Sequence, residues 1–172
     1  MNSATFDILT TARLTLRQLS LDDRQNILAL RSDPEINKYL GRQPASTIED
    51  AINFINKVND NIEKQLALYW AIMLTETKTF VGTICLYNFS KENSSCEIGY
   101  ELMPKFQGLG IMKESAHVAI NYAFQTLKLE KIYACSHNDN RASTGLLARL
   151  NFVKSGENDK ENPDLNIFTL TL

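Results

Sequence analysis

The sequence feature that most constrains the fold is the stretch at residues 104–115, which reads PKFQGLGIMKES. It follows an extended run at residues 96–102 and leads into a helical pattern that continues to Leu127, which is typical of a strand-to-helix junction. Gly108 and Gly110 allow the main chain to turn sharply and to present successive N–H groups to a ligand. Since the first helical turn adds unpaired donors and the positive end of the helix dipole, the stretch predicts a phosphate or pyrophosphate site.

The glycines alone leave an alternative, because two glycines in this spacing also occur in purely structural turns. Other phosphate-binding motifs fit less well. The spacing is not that of the dinucleotide fingerprint G-x-G-x-x-G, and the strand comes late in the chain instead of opening a βαβ unit. A nucleotide P-loop is excluded because no Gly-Lys-Ser/Thr sequence follows the turn.

Length and composition predict one domain. The chain has 172 residues, of which 44% are hydrophobic and 22% charged, so a single domain over residues 1–172 can bury a sizeable core. The net charge of −2 gives no general attraction to nucleic acid or anionic lipid. Residues 1–10 lack a basic start and a long apolar run, and no stretch reaches about 18 apolar residues. We therefore expect a cytoplasmic protein whose partners include neither nucleic acid nor a membrane.

The cysteines and histidines do not predict a metal site. Cys85, Cys96 and Cys135 are odd in number, widely spaced and embedded in apolar runs, which favours buried thiols over a disulfide framework or metal ligands. Neither His117 nor His137 has a partner at the spacing of a metal site or of a Ser-His-Asp triad.

The periodicity of apolar residues alternates between that of strands and that of helices along the chain. Strands are predicted at residues 13–19, 68–74, 80–89, 96–102, 131–136, 152–155 and 165–172. Helices are predicted from Ser20 to the stop at Asp33 and Pro34, over a short turn at 36–40, at 48–64 after the cap Thr47, at 110–127, and after the cap Asn140 through Leu150.

The glycine stretch resembles the pyrophosphate loop of the GNAT acetyltransferases, since Gln107, Gly110 and Met112 fall on the Q/R-x-x-G-x-G/A pattern of that family. Met112 departs from the last position and resembles the RimJ/RimL-like branch, in which G-x-M is common. The segments RLTLR, DPEINKYL and CEIGYEL, and the N-x-x-S spacing of Asn140 and Ser143, resemble the same branch over nearly the full length of the chain.

This resemblance implies a fold, an activity and a cosubstrate. The fold is α/β (α+β), with a single mixed, mostly antiparallel sheet of about seven strands flanked by about four helices. The activity is N-acetyl transfer from acetyl-coenzyme A (acetyl-CoA) without a metal, and the resemblance also implies a homodimer. The donor is expected to lie along the main chain of Leu102 and Met103, with Asn140 holding the pantetheine amide. Its pyrophosphate is expected at the run Gln107, Gly108, Leu109, Gly110, Ile111, Met112 and Lys113, although Lys113 is alternatively a solvated surface side chain.

Acetyl transfer to an amine requires a base for the ammonium group and a stabilised leaving thiolate. Glu97 and Glu101 lie four residues apart, so in a regular strand both share one face with Gly99. Glu97 stands where the resemblance implies a general base, and Glu101 is the second candidate. The alternative is that both carboxylates are merely solvated. Ser143 is the candidate hydroxyl for stabilising the thiolate, unless it only occupies the first turn of its helix.

The acceptor is the least constrained part of the expected reaction. An α-amino group has a pKa of about 7.7–8.0 and a lysine amine one of about 10.4, so a weak carboxylate base suffices for the first. This favours a protein N-terminal α-amino group, in line with the resemblance to ribosomal-protein acetyltransferases. A small-molecule amine such as an amino acid, a polyamine or an antibiotic is the first alternative. A non-catalytic acyl-CoA sensor and an interaction protein with purely structural glycines are the others.

Overall fold

The computed structural model describes residues 6–172 and contains eight strands and five α-helices within that range. The strands are β1 (Leu9–Thr10), β2 (Leu14–Gln18), β3 (Ala67–Leu74), β4 (Thr79–Ser90), β5 (Ser95–Leu102), β6 (Lys131–His137), β7 (Val153–Asn158) and β8 (Leu165–Thr171). The α-helices are α1 (Arg24–Ser32), α2 (Pro34–Asn37), α3 (Ile48–Glu63), α4 (Ile111–Asn121) and α5 (Arg141–Arg149). Turns of 3₁₀ helix at Leu21–Asp23 and Pro104–Phe106 precede α1 and α4, and a π-helical turn at Tyr122–Thr126 extends α4. Of residues 1–10, which lack a basic start and a long apolar run, residues 1–5 lie outside the described residues.

The eight strands form one sheet in the order β1-β2-β3-β4-β5-β6-β8-β7. Neighbouring strands are antiparallel except for β5 and β6, which run parallel. The predicted mixed, mostly antiparallel sheet flanked by helices is therefore confirmed. The strand and helix counts are each one higher than predicted, because β1 has two residues and α2 has four, too few to show a clear period.

The starts of the helices follow their capping residues. The short turn predicted at residues 36–40 is α2, which begins earlier, at Pro34, because the side chain of Asp33 accepts hydrogen bonds from the first N–H groups of this helix. α3 and α5 begin where predicted, after the N-cap residues Thr47 and Asn140.

The sheet separates two apolar cores. The first lies between the sheet and helices α4 and α5 and includes Trp70 and Ile84. The second lies between the sheet and helices α1 and α3 and includes Ile27 and Ile55. Because side chains alternate along a strand, the even-numbered residues of β5 enter or border the first core, and its odd-numbered residues lie on the other face of the sheet. None of the helices within residues 6–172 is long and apolar enough to cross a membrane.

The three cysteines differ in their burial. Cys96 is buried in the first core and Cys85 is partly buried, but Cys135 is exposed, so the prediction of three buried thiols is wrong for Cys135. β6 buries Ile132 and Ala134 on one face, while the face that carries Cys135 is open to solvent at that position. All three thiols are free.

Candidate active site

β5 and β6 form an opening near the middle of the sheet. They pair only over residues 95–97 and 131–133, and their register ends with the pair Glu97 and Tyr133. On its other side, β5 pairs with β4 as far as Leu102. The second half of β5 therefore has a free edge within a sheet that is otherwise continuous.

This free edge presents the main-chain groups of alternate residues. The N–H of Met103 donates to β4 and its carbonyl accepts from the 3₁₀ turn that follows, each at 2.9 Å. Because successive N–H groups of a strand point to opposite sides, those of Tyr100 and Leu102 point into the opening. The Leu102 carbonyl accepts a hydrogen bond from the Gln107 side chain at 3.1 Å. Tyr100 and Leu102 thus have main-chain groups at the edge, whereas both main-chain groups of Met103 are engaged inside the protein.

The glycine turn between β5 and α4 takes the backbone conformation that only glycine adopts readily. Gly108 and Gly110 have φ angles of +77° and +75°. Gly110 is the N-cap of α4, and Ile111 and Met112 bury their side chains in the first core. The N–H groups of residues 108–113 have no acceptor among the residues that the structure describes. The turn therefore holds a row of free donors at the positive end of α4.

Arg13, directly before β2, ties this turn to the sheet. Its Nη1 donates to the Leu109 carbonyl at 3.1 Å, and its Nε donates to Oε2 of Glu114 at 2.8 Å. Oε1 of Glu114 accepts from the main-chain N–H of Arg13 at 3.1 Å and from the Thr11 hydroxyl. Both carboxylate oxygens of Glu114, in the first turn of α4, therefore accept hydrogen bonds. Together with the bond to the Leu109 carbonyl, they attach the glycine turn and the start of α4 to the segment before β2.

Glu97 lies at the start of the opening, on the face of the sheet away from α4. Its Oε1 accepts a hydrogen bond from the Asn88 side-chain amide at 3.0 Å. Asn88 has a φ angle of +49° and lies at a register shift between Tyr87 and Ser90, so β4 bends there and brings the amide to Glu97. Burial and the charge of Glu97 raise the pKa of Tyr87, the register partner of Glu97. A partly exposed carboxylate with a neutral hydrogen-bond donor thus borders the opening.

Glu101 lies on the same face but forms an ion pair with Arg42, from the segment between α2 and α3. The two side chains are only 12% and 22% exposed. Oε2 of Glu101 and Nη2 of Arg42 are buried and have no hydrogen-bond partner within residues 6–172. Burial and the neighbouring charge of Arg42 lower the pKa of Arg31, which the charge of Glu101 raises in part. The two predicted bases therefore differ in their partners. Glu101 forms an ion pair with an arginine, whereas Glu97 accepts a hydrogen bond from an amide.

The hydroxyls of Tyr100 and Ser143 form a hydrogen bond of 2.8 Å on the face of β5 that meets α4 and α5. Ser143 lies in the first turn of α5, where its N–H donates to the cap Asn140 at 3.1 Å. Burial raises the pKa of Tyr100 to about 12, and the hydrogen bond with Ser143 opposes this shift. Since Tyr100 belongs to β5 and Ser143 to the helix after β6, the pair of hydroxyls connects the two sides of the opening.

A groove of about 440 Å³ runs beside the glycine turn, along the first turns of α4. It is lined by Thr11, Gly110, Lys113, Glu114, His117, Val118 and Asn121. His137 lies elsewhere, with its Nδ1 accepting from the Asp139 N–H at 3.1 Å and its ring 5.2 Å from that of Tyr39. Within the described range, no cluster of three or more His, Cys, Asp or Glu side chains could hold a metal ion.

A second cavity, of about 320 Å³, lies on the face that carries Glu97, between α3 and strands β3 and β4, and is called the α3 cavity below. It is lined by Arg31, Phe54, Lys57, Val58, Asn61, Ala67, Tyr69, Cys85 and Tyr87. Cys85 and Tyr87 are the register partners of Gly99 and Glu97. A Cβ at position 99 would lie 3.2 Å from the Cys85 sulfur, so the Cys85 side chain packs directly on the glycine.

Four residues of this region were not predicted from the sequence: Arg13, Asn88, Arg42 and Tyr100. Arg13 and Tyr100 lie in the RLTLR and CEIGYEL segments, so a motif marked them without indicating their contacts. Asn88 lies at a bulge and Arg42 in an irregular segment, and neither kind of structure produces a periodic pattern in the sequence.

Comparison with known proteins identifies one family over most of the chain. The sequence model of the family described as "Acetyltransferase (GNAT) domain" matches residues 13–153. The uncharacterized N-acetyltransferase YoaA of Bacillus subtilis is 34% identical over 151 residues, which cover 88% of this chain and 85% of that protein. The spermidine N(1)-acetyltransferase of Vibrio cholerae is 27% identical over 146 residues, covering 84% and 82%. The [ribosomal protein uS5]-alanine N-acetyltransferase of Escherichia coli is 30% identical over 103 residues, covering 59% and 53%.

Solved structures share the fold. The spermidine N-acetyltransferase from Vibrio cholerae in complex with CoA and spermine superimposes with a TM-score of 0.81, at 23% identity, over 94% of this chain and 96% of that chain. The family match spans most of the chain, so the resemblance to the GNAT family is confirmed, and the uS5-alanine relative is consistent with the RimJ/RimL-like branch. The chain belongs to the GNAT acetyltransferase family and is an N-acetyltransferase that uses acetyl-CoA.

Proposed function

We propose that this enzyme acetylates an α-amino group at the amino terminus of a protein, with Glu97 as the base. The observation that carries the proposal is the position of Glu97, a partly exposed carboxylate at the start of the opening with a neutral amide as its partner. The uS5-alanine relative acts on a ribosomal protein, whereas the spermidine relative acts on a polyamine, so the relatives represent two classes of acceptor.

The donor is proposed to enter along the free edge of β5. Its pyrophosphate accepts hydrogen bonds from the N–H groups of residues 108–113, where the positive end of α4 favours negative charge. Its pantetheine amides pair with the main chain of Leu102 and Tyr100, in the manner of an added strand. Asn140, at the start of α5, is proposed to hold a pantetheine amide from the other side. Met103 offers no free main-chain group to this arm, because both of its groups are engaged.

Glu97 is a better candidate for the base than Glu101. The Glu101 carboxylate is ion-paired with Arg42, which holds it in place. Glu97 accepts from an uncharged amide and is partly exposed, so water can reach it and carry away a proton. A weak base of this kind suits an α-amino group, whose pKa of about 7.7–8.0 leaves a substantial neutral fraction at physiological pH.

In the proposed reaction, Glu97 accepts a proton from the acceptor ammonium and passes it to water. The free amine nitrogen then uses its lone pair to form a bond with the thioester carbonyl carbon. The resulting intermediate breaks its C–S bond, and that electron pair leaves on the sulfur. The nitrogen loses its second proton, and the thiolate takes up one proton, so the products are the amide and free coenzyme A. The hydroxyls of Tyr100 and Ser143, which are hydrogen-bonded to each other, are proposed to stabilise the thiolate as it forms.

The test replaces the proposed base. Glu97→Gln keeps an oxygen for Asn88 but cannot accept the proton, so we expect kcat to fall by about 10²- to 10⁴-fold with an N-terminal peptide as acceptor. The Kd for acetyl-CoA, measured by calorimetry, is expected to stay unchanged because the donor site is untouched. The matched control is Glu92→Gln, an exposed residue in the turn between β4 and β5, which should leave both values unchanged. Unchanged turnover by Glu97→Gln would remove this residue from the mechanism.

The acceptor class is tested in parallel. Peptides with a free amino terminus, the same peptides with a blocked terminus and an internal lysine, and spermidine are assayed with acetyl-CoA, and products are weighed by mass spectrometry. Acetylation of only the free-terminus peptides is the expected result. Preference for spermidine would assign the enzyme to the polyamine class, and no product from any amine would support the acyl-CoA sensor instead.

A further inference from the structure

We propose that the α3 cavity binds a carboxylate of the acceptor through Arg31 and Lys57, so that the enzyme selects amines that carry a nearby negative charge. This inference rests on the proposed function, because it takes Glu97 to be where the amine reacts. It adds a site that selects among acceptors and that acetyl transfer itself does not require. The carboxylate is either the α-carboxylate of a free amino acid or an acidic side chain close to a protein amino terminus, and the experiment distinguishes these sources.

The first support is the charge of the α3 cavity. Arg31 and Lys57 both line it, and within the described residues no carboxylate does. The remaining lining is apolar, aromatic or neutral, with Phe54, Tyr69 and Tyr87 forming much of the wall. A cavity lined by two cations favours an anion and disfavours a second cation such as a polyamine.

The second support is the state of Arg31. Its guanidinium carbon lies 3.8 Å from the centroid of the Phe54 ring, so the side chain rests on an aromatic surface. In the part of the chain that the structure describes, Arg31 forms no ion pair, since the nearby Glu101 is paired with Arg42. A partly buried cation without a counter-charge is stabilised by an incoming anion, and a guanidinium offers two parallel N–H donors to a carboxylate.

The third support is the relation of the α3 cavity to Glu97. Tyr87 and Cys85 form the wall of the cavity on the β5 side, and they are paired with Glu97 and Gly99. Gly99 has no side chain, and the Cys85 sulfur and the Tyr87 ring pack over it, 3.2 and 3.4 Å from where a Cβ would lie. Since neighbouring strands lie about 4.8 Å apart, the cavity wall at Tyr87 is close enough to Glu97 for one acceptor to have its amine at Glu97 and its carboxylate at Arg31. The two ends of such a molecule meet charges of opposite sign to their own.

The experiment compares acceptors that differ only in one carboxylate. Alanine and alaninamide test the α-carboxylate, and the C-terminally amidated peptides Ala-Asp-Ala-Ala and Ala-Asn-Ala-Ala test an acidic side chain. We expect kcat/KM to be about tenfold higher for the carboxylate member of at least one pair, as for one charge-assisted hydrogen bond. Which pair shows the preference identifies the source. Equal values within both pairs would overturn the proposal, while acetylation of all four would still leave the proposed function standing.

Variants assign the preference to the cavity. Arg31→Gln is expected to raise KM for the preferred carboxylate acceptor about tenfold and to leave KM for its amide partner unchanged. Lys57→Gln, at an exposed position that tolerates the change, should give a smaller shift in the same direction. Lys91→Gln removes an equal charge from the turn between β4 and β5 and should change neither value. If Arg31→Gln and Lys57→Gln raised KM equally for the carboxylate acceptor and for its amide partner, this would contradict a carboxylate site.

A binding measurement keeps the proposal testable if no amine is turned over, an outcome that would defeat the proposed function. Calorimetry of the enzyme saturated with coenzyme A then uses the products N-acetylalanine, N-acetylalaninamide and the two acetylated peptides. Tighter binding of a carboxylate product than of its amide, lost in Arg31→Gln, would support the site. Equal affinities, or no binding of any of them, would overturn it.

Discussion

Two arginine–glutamate pairs lie at the two ends of the candidate active site, and they differ in how completely they are bonded. In the pair of Arg13 and Glu114, beside the glycine turn, both carboxylate oxygens accept hydrogen bonds, with Thr11 as an additional donor. In the pair of Arg42 and Glu101, one nitrogen and one oxygen are buried without a partner among the described residues. An ion pair whose polar atoms all have hydrogen-bond partners holds its segments in one geometry. An ion pair with buried polar atoms that lack partners is destabilising unless a ligand supplies the missing hydrogen bonds. On the proposed mode of binding, the donor end is therefore a rigid support, and the acceptor end keeps two buried polar atoms available to a ligand.

The largest expected effect comes from breaking the pair of Arg42 and Glu101. Glu101→Ala leaves Arg42 without its carboxylate partner, and we expect the free energy of unfolding to fall by about 2 kcal/mol, because Arg42 loses its counter-charge in a largely buried place. Urea unfolding measures this loss. The double variant Arg42→Ala/Glu101→Ala should lose less than the sum of the two single variants. A loss within error of zero for Glu101→Ala would show that the pair is an ordinary surface contact.

The pair of Arg13 and Glu114 should act on the donor and leave the fold largely intact. Arg13→Ala removes the donors to the Leu109 carbonyl and to Oε2 of Glu114, so the glycine turn is less well held. We expect KM for acetyl-CoA to rise about tenfold with kcat unchanged, as for the loss of one charge-assisted hydrogen bond of about 1.5 kcal/mol. Steady-state kinetics with a saturating acceptor measures both values. Thr11→Val, which removes one donor to the same carboxylate, is the milder matched change. A fall in kcat at constant KM would contradict a supporting role for Arg13.

The smallest expected effect is a dependence of stability on pH. Burial raises the pKa of Glu114, but the hydrogen bonds from Thr11 and Arg13 outweigh it, so that its pKa lies below the ordinary value of 4.5. A group with a lowered pKa in the folded protein stabilises it fully above the unfolded value and loses that effect as the pH falls through the folded value. Urea unfolding of the wild type and of Glu114→Gln should therefore differ most near pH 7, and the difference should narrow below about pH 4.5. A constant difference across this range would show that the charge of Glu114 contributes nothing.

The long elements and the glycine turn could be predicted from the sequence because each depends on neighbouring residues. Three such properties are local: the strand-like apolar runs of β3 and β4, the N-cap and apolar face of α3, and the two glycines with positive φ angles. They were sufficient to place Glu97 and Glu101 on one face of β5. They were also sufficient to put the row of free N–H groups at the start of α4.

The rest depends on which distant segments meet. The opening between β5 and β6 arises because a parallel pairing stops after three residue pairs, which no local pattern records. Arg42 contacts Glu101 from an irregular segment, and Asn88 contacts Glu97 from a bulge. The sequence spacing of Glu97 and Glu101 therefore could not show that the two carboxylates have different partners. Cys135 lies in an apolar run but on the open face of β6, and burial of a face depends on what packs against it.

The free edge of β5 has a consequence for how such an enzyme varies over evolutionary time. A peptide group has the same donor and acceptor whichever residue carries it, so on the proposed mode of donor binding, mutations at Tyr100 or Leu102 leave the main-chain contacts in place as long as the strand keeps its path. The face around Glu97 and Arg31 is made of side chains, and a single codon change replaces any one of them. A lineage can thus exchange the molecule it modifies while keeping the reagent it modifies it with.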